Sequence, residues 1–380
     1  TLAAQPQLSR PDQALLRELA TGILRWRGRL DYAIAQAARR PVHRLHPLVL
    51  DLLRLCAYQL FFLDRIPASA AVNESVKLAR ARRLPPALIA FVNAVGRTLA
   101  AWGKHPPLPD PSQEAVAALA AAASLPEWLA ARWLADLGQE KTWARAEASN
   151  QRPPLTIRVN TALASPPTLS AILASEGITT EPCRYAPEGL NLLNVAGSPL
   201  ELPSYRRGLW LFQDEAAQLA TLLLQARPGY SILEIGAGRG GKTTHLAQLL
   251  QGQGKIIALD VNLPRLQALG RQLRTMAQTS VFPVLADATR PLPFLPACQY
   301  DRILIDAPCS GLGVLRRHPE LRWRRQPGDF ARFAAIQKNL LEQAAPYLCP
   351  GGILLYITCT TEPEENEEVI RALLAAQGHV

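Results

Sequence analysis

The chain has 380 residues, enough for two to three domains at about 150 residues each. Hydrophobic residues make up 48% of it and charged residues 19%, which excludes wholesale disorder and supplies a sizeable core. The formal net charge is +10, which suits a polyanionic partner such as nucleic acid.

The charge has a location. Residues 1–105 hold 16 Lys and Arg against 6 Asp and Glu, whereas residues 106–380 hold 25 of each. No stretch reaches the roughly 18 apolar residues of a membrane span, and the start lacks a signal-peptide pattern, so a soluble cytoplasmic protein without a membrane partner is expected. The six cysteines occur singly, with no Cys-x-x-Cys pair. That argues against a disulfide framework and a structural zinc site, and no metal is expected.

In residues 11–100, apolar positions recur at spacings of three and four, as in Leu15, Leu16, Leu19, Ile23 and in Leu48, Leu52, Leu55, Leu60. The spacing predicts helices, with Pro11, Pro41, Pro47, Pro67 and Pro85-Pro86 at their starts or in loops. Residues 1–105 thus form an all-helical domain with Arg-rich faces. A Pro-rich linker at 105–112 opens a second region, 106–207. It begins with Ala-rich helical patterns from Gln113 to about Ala148. The string NQRPPLTIRVN, residues 150–160, then switches to a strand period, and a helix over Thr168–Glu176 with short strands completes a small α+β module. Arg158 and Asn160 read equally well as RNA-facing residues or as strand ends.

From residue 208 to 380 strands and helices alternate. Apolar runs predict strands over 230–236, 255–261, 281–287, 300–307 and 352–359, and helices over 242–251, 262–278 and 330–348. A short Pro-rich loop, Ala288–Gln299, joins the third and fourth strands. Such strands predict a doubly wound parallel sheet, in which ligands bind at the carboxyl ends of the strands.

The first strand ends in GAGRGGKT, residues 236–243, which fits two motifs. As a P-loop, Gly236, Gly241, Lys242 and Thr243 hold phosphate and magnesium, with Asp306 as the acidic partner. As a nucleotide-binding glycine turn, Gly236, Gly238 and Gly240 let the backbone approach a ribose or an amino-acid moiety. Asp260 closes the second strand, where a carboxylate can take two ribose hydroxyls. Asp287 closes the third, where an acid can meet an adenine amino group. An adenosine cofactor uses all three sites; an NTPase leaves Asp260 and Asp287 idle. A dehydrogenase shares the glycine turn and Asp260, and the bland alternative is a set of ordinary turn residues.

The fourth strand ends in Asp306-Ala307-Pro308-Cys309 and the fifth in Tyr356-Ile357-Thr358-Cys359. Cys56, Cys183, Cys298 and Cys349 read as structural or incidental, since a lone Cys is usually a small buried hydrophobe. Cys309 and Cys359 differ because both reach the crevice beside an adenosine site. That arrangement suits methylation at carbon 5 of a pyrimidine. A thiolate adding to carbon 6 makes carbon 5 an enamine nucleophile toward the methyl of S-adenosyl-L-methionine. Asp306 is positioned to balance charge near ring nitrogen 3.

DAPCSGLGVLRRHPE followed by YITCTTEPEENE, together with GGKTTHLA, resembles the signature of Sun-type RNA (cytosine-5) methyltransferases. RELATGILRWRGRLDYAI and RIPASAAVNESVKLAR resemble the NusB-like RNA-binding domain found in family members that act on bacterial 16S ribosomal RNA, and NQRPPLTIRVN resembles the opening of the family's central module. The resemblance covers nearly the whole chain. It implies a NusB-like all-α domain, a small α+β RNA-binding module and a Rossmann-like class I methyltransferase domain. It implies Cys359 as nucleophile, Cys309 in product release, and cofactor contacts at Gly236, Ala237, Gly238, Arg239, Gly240, Gly241, Lys242, Asp260, Asp287 and Asp306. The family's usual loop reads Cys-Ala-Ala-Pro-Gly-Gly-Lys, so Arg239 replaces a proline here, an exchange expected to retune loop stiffness and leave cofactor choice intact. The family's sheet continues with further strands, and the present sequence runs to Val380 soon after the fifth.

Arg316, Arg317, Arg322, Arg324 and Arg325 follow Cys309 and are candidate grips on RNA phosphates, with Trp323 and His318 available for stacking. The competing reading is a solvated basic loop. The acidic run Glu362–Glu368 reads as a charged helix start around Pro363, without a catalytic role. Lys242 reads as a cofactor contact, a base-positioning group or a solvated helix-start lysine. The expected activity is S-adenosyl-L-methionine-dependent methylation of an unstacked cytosine in small-subunit ribosomal RNA by a monomer. The alternatives are a P-loop NTPase with an RNA-binding domain and an inactive NusB-like assembly factor.

Overall fold

Prolines stand at the start of most of the N-terminal helices. In the computed structural model, which describes residues 8–195, 197–276, 278–294 and 299–377, these are α1 (Arg10–Ala38), α2 (Pro47–Phe62), α3 (Ala68–Ala81), α4 (Pro86–Trp102), α5 (Ala115–Ala122) and α6 (Glu127–Asn150). Ser9 caps α1 by accepting from the Asp12 N–H, and Pro47 and Pro86 occupy first helical positions where no N–H is needed. The apolar spacing read from the sequence becomes a core of Leu30, Ile34, Leu53, Cys56 and Leu99 between α1, α2 and α4. Burial pushes the Cys56 thiol up to about 11, in keeping with a structural role. The Ala-rich stretch expected from residue 113 is two helices, α5 and α6, and α6 bends at Gly138 (φ 74°). These helices share one unit, Thr1–Arg152, with the later segment Gly313–Pro327.

The second unit comprises Pro153–Leu312 and Gly328–Val380. Strands β1 (Leu155–Val159), β2 (Thr180–Pro182), β3 (Gly189–Leu192) and β4 (Trp210–Phe212) form an antiparallel sheet in the order β2-β3-β1-β4. Arg158 on β1 is fully buried and donates to the Gly241 carbonyl at 2.8 Å and the Thr244 hydroxyl at 2.9 Å. Asn160, also buried, donates to the Gly208 carbonyl. Neither faces RNA. Both are tied up inside the fold, and Arg158 fixes the start of the helix Gly241–Leu249.

The remaining strands, β5 (Ser231–Ile235), β6 (Lys255–Asp260), β7 (Val281–Leu285), β8 (Tyr300–Asp306) and β9 (Leu348–Ile357), form the expected parallel sheet in the order β7-β6-β5-β8-β9. Leu233, Ile303, Leu304 and Ile305 on its central strands are fully buried. The third strand departs from the two-sided burial its composition suggested: β7 lies at the sheet edge, where Phe282 and Leu285 are exposed. The fifth begins at Leu348, four residues earlier than the apolar run, and pairs with β8 through a register irregularity between Tyr300 and Arg302. Chain direction away from β5 reverses between β6 and β8, which opens a crevice at the carboxyl ends of these strands. Cys298 lies outside the described residues.

Candidate active site

Where β5 ends, the backbone turns sharply. Gly236 has φ 86°, and a Cβ there would lie 2.3 Å from the Asp306 carbonyl oxygen, so the loop presses against the end of β8 as no other residue permits. Gly240 (φ 91°) caps the helix Gly241–Leu249, and a Cβ there would meet Leu269. Between loop and strand ends lies a pocket of about 320 Å³. Gly236, Gly238, Asp260, Asp287 and Asp306 line it, five of the ten cofactor candidates, with Ile235, Leu259, Val261 and Ile336 as apolar wall. Ala237 and Gly240 are buried, Arg239 and Gly241 line a different cavity, and Lys242 reaches Asp306 instead.

The carboxylates are preset by short hydrogen bonds. Asp260 accepts the Gly238 N–H on one oxygen and the Asn262 N–H on the other, both at 2.8 Å, and each oxygen keeps a further lone pair for a ligand hydroxyl. Asp287 accepts from the Thr289 hydroxyl and N–H, which hold its carboxyl below the usual carboxylate range. Three acceptors along an apolar pocket fit the ribose and base of S-adenosyl-L-methionine. A phosphate cradle fits poorly, because the Gly238 N–H is given to a carboxylate, the Lys242 ammonium to Asp306, and Thr243 is fully buried.

The two cysteines come together. Cys309 follows β8, Cys359 follows β9, and their Sγ atoms are 3.0 Å apart, with the Cys359 N–H also directed at Cys309 Sγ at 3.3 Å. Hydrogen bonding from the Cys309 thiol favours the Cys359 thiolate and lowers its pKa, aided by Lys242 and opposed by burial and Asp306. The same bond, with burial, raises the Cys309 thiol. The contact therefore favours ionisation of Cys359 before Cys309. Lys242 Nζ and Asp306 Oδ2 form an ion pair at 2.6 Å beside them.

The acidic run has a role that its charge pattern concealed. Glu365 is fully buried in a short turn, Pro363–Glu365. Its Oε2 accepts the Ser310 N–H at 2.8 Å and the Gln337 side-chain amide at 3.0 Å, and that amide also donates to the Pro308 carbonyl at 2.9 Å. Ser310 Oγ donates to Thr360 Oγ1 at 2.9 Å. Asn366 accepts from Thr358 and donates to the Thr360 and Glu362 carbonyls. Glu365 and Asn366 therefore hold both cysteine loops, as positioning residues.

The arginine cluster divides. Arg322 is fully buried, and its guanidinium donates to the Ser124 carbonyl and Asn150 Oδ1, each at 2.9 Å, and to the Ala123 and Ser149 carbonyls at 3.3 Å. It is a structural lock inside the first unit, contrary to its reading as a phosphate grip, because three main-chain carbonyls and the Asn150 amide oxygen outcompete solvent for it. Trp323 donates to the Leu24 carbonyl at 2.6 Å with the Arg27 guanidinium over its ring, so it too is engaged. Arg316 donates to the Arg152 carbonyl. Arg317 and Arg325 also have partners. Arg324 is exposed, and His318 is exposed beside Glu320.

Family models match three parts of the chain. The 16S rRNA methyltransferase RsmB/F family model matches residues 221–380, the NusB family model residues 2–101, and the RsmF/B-like ferredoxin-like domain model residues 125–196. The chain is 37% identical over 376 residues to the probable ribosomal RNA small subunit methyltransferase B of Synechocystis sp., covering 97% of this chain and 82% of that protein. It is 36% identical to ribosomal RNA small subunit methyltransferase B of Pseudomonas putida, covering 96% and 81%. The crystal structure of PH0851 superposes with a TM-score of 0.80 at 28% identity over 96% of this chain and 81% of that one. A methyltransferase homolog from Pyrococcus horikoshii gives 0.62 at 30% identity over 70% and 83%.

Proposed function

The chain belongs to the RsmB/F family of 16S rRNA methyltransferases, and from that premise we propose that it methylates carbon 5 of an unstacked cytosine in small-subunit ribosomal RNA through a covalent bond between Cys359 and carbon 6. It is an S-adenosyl-L-methionine-dependent RNA methyltransferase with a NusB-like RNA-binding domain. The observation that carries the finer reading is the thiol pair, 3.0 Å apart at the ends of adjacent strands, next to a pocket edged by Asp306.

The Cys359 thiolate adds to carbon 6, and the ring electrons move toward carbon 5 and the nitrogen 3 edge. Lys242 and Asp306, paired at 2.6 Å, offer an ammonium donor and a carboxylate acceptor to that edge. Asp260, Asp287 and Gly236 would hold the cofactor, which when bound would supply the methyl group that carbon 5 accepts. Once Cys359 is a thioether it no longer carries the charge that keeps the proton on Cys309. The Cys309 pKa then falls; the thiol gives its proton to solvent water, and the resulting thiolate takes the carbon-5 proton as the Cys359–carbon 6 bond breaks and Cys359 leaves as a thiolate. The order of events assigns the two thiols different work.

Labelled S-adenosyl-L-methionine and a 16S ribosomal RNA transcript test the reading. Cys359→Ala is expected to abolish both methyl transfer and the denaturation-resistant protein–RNA band. Cys309→Ala is expected to accumulate that band. The reverse pattern would exchange the roles, and 5-methylcytosine formed with neither band nor loss in Cys359→Ala would refute the covalent route.

A further inference from the structure

The active site leaves one large cavity of the second unit without a role. It measures about 710 Å³, within the range of roughly 300–1,000 Å³ typical of small-ligand sites. The short helix Pro203–Arg206 and β4 contribute to it from the antiparallel sheet, and the helix Leu263–Thr275 from the parallel one. Its lining includes Arg206, Arg239 and Arg271 and no carboxylate. All three arginines are exposed, and none has a side-chain ion pair or hydrogen bond among the described residues. Arg158 and Arg322, by contrast, are buried and hydrogen-bonded to carbonyl and hydroxyl acceptors. Three cations around one concavity with no counter-charge favour an anion.

Half-buried aromatic rings complete the wall. Tyr205 and Phe212 line the cavity with centroids 6.4 Å apart, and both pack on the buried Trp210, at 5.0 and 5.2 Å. Rings held from behind in this way lose little freedom when a flat ligand stacks on them. Cations for phosphates beside aromatic faces for bases is the chemistry of single-stranded nucleic-acid binding. The cavity also adjoins the methyl-donor site through one loop. Gly236 and Gly238 line the cofactor pocket, while Arg239 and Gly241 of the same loop line this one.

We propose that this cavity is a subsite for a nucleotide of the RNA substrate other than the methylated cytosine, with phosphates on Arg206, Arg239 and Arg271 and the base against Tyr205 or Phe212. The proposal rests on the reading of the chain as an RNA methyltransferase and adds where a second part of the strand is gripped. The sites make different demands: the thiol pair reads one base for chemistry, and the arginine cavity reads backbone and stacking with little sequence preference.

The test uses the full chain and the double variant Arg206→Glu/Arg271→Glu, which spares the cofactor loop. Fluorescence anisotropy with a labelled single-stranded 16S ribosomal RNA fragment is measured across a salt series, with calorimetric S-adenosyl-L-methionine binding in parallel. The expected result is at least tenfold weaker RNA binding, a plot of log affinity against log salt shallower by about two, and an unchanged cofactor Kd. Arg206→Lys/Arg271→Lys is expected to restore most of the slope, since lysine still meets a phosphate as a point charge. Should the glutamates disturb cofactor binding, Arg206→Gln/Arg271→Gln carries the same comparison. Wild-type RNA affinity and slope in these variants, with methyl transfer intact in the wild-type chain, would overturn the subsite and leave the reaction standing. A wild-type chain that binds cofactor but neither binds nor methylates RNA would overturn both.

Discussion

Two cysteine sulfurs 3.0 Å apart give the site a pH signature. The hydrogen bond from the Cys309 thiol lowers the Cys359 pKa, so the nucleophile ionises at a lower pH than an ordinary cysteine does. Adduct formation therefore rises with pH through a midpoint below that of an ordinary cysteine. Cys309→Ala removes the donor and moves the midpoint upward, while the lysine–carboxylate pair stays in place. Single-turnover adduct formation across a pH series reads the shift; a midpoint that stays or falls would deny this effect of the hydrogen bond. At this scale the sequence is legible where a residue ends a strand and poorly legible where its partner is remote. Cys309 and Cys359 could be singled out from two strand ends. Glu365 could not, because the Ser310 N–H that it accepts is 55 positions away and its neighbours in the run are acidic enough to suggest a solvated face. Arg322 misleads for the same reason: its charge advertises water, and only three-dimensional packing reveals the carbonyl cage.

Among elements, the parallel strands were the most legible, since continuous apolar runs have few other uses, and they carry Asp260, Asp306, Cys309 and Cys359 to one end of the sheet. The edge position of β7 was not, because an apolar run does not say whether a neighbour will cover it. The glycine loop sits between these cases. Its motif was ambiguous, yet the geometry separates its glycines. Gly236→Ala would set a Cβ 2.3 Å from the Asp306 carbonyl in a left-handed turn, and the backbone of either β8 or the loop must move. Gly238→Ala adds only conformational strain of about 1 kcal/mol, because its nearest neighbour is 3.8 Å away. Calorimetry should show S-adenosyl-L-methionine binding weakened at least tenfold in the first and several-fold at most in the second. Equal losses would mean that the loop is not held against β8.

For the molecule as a whole, the +10 net charge resides in residues 1–105, the portion that the NusB family model matches. Arg80, Arg82, Arg83 and Arg97, in α3 and α4 and the turn between them, are exposed cations of that region. Replacing all four with Gln removes charge and leaves α1 untouched. The salt dependence of RNA binding should flatten by up to about four units of slope, with cofactor affinity unchanged. An unaltered slope would assign the electrostatic contact elsewhere. A deletion of residues 1–105 would be a blunter probe, since α1 supplies the Leu24 carbonyl that Trp323 binds.

The Gly313–Pro327 segment also bears on how such chains can be recombined. Arg322 finds most of its acceptors on main-chain oxygens, which every sequence possesses, so the receiving helices are free to drift while the arginine is not. Asn150 is the exception, because there the acceptor is a side-chain amide oxygen. A chimera that grafts the N-terminal helices of one relative onto the catalytic domain of another would thus keep these main-chain acceptors whatever side chains α5 and α6 carry. A mismatch at position 150 or 322 would remove the one side-chain hydrogen bond of this lock, so these two sites, far apart on any gene map, are best inherited as a pair.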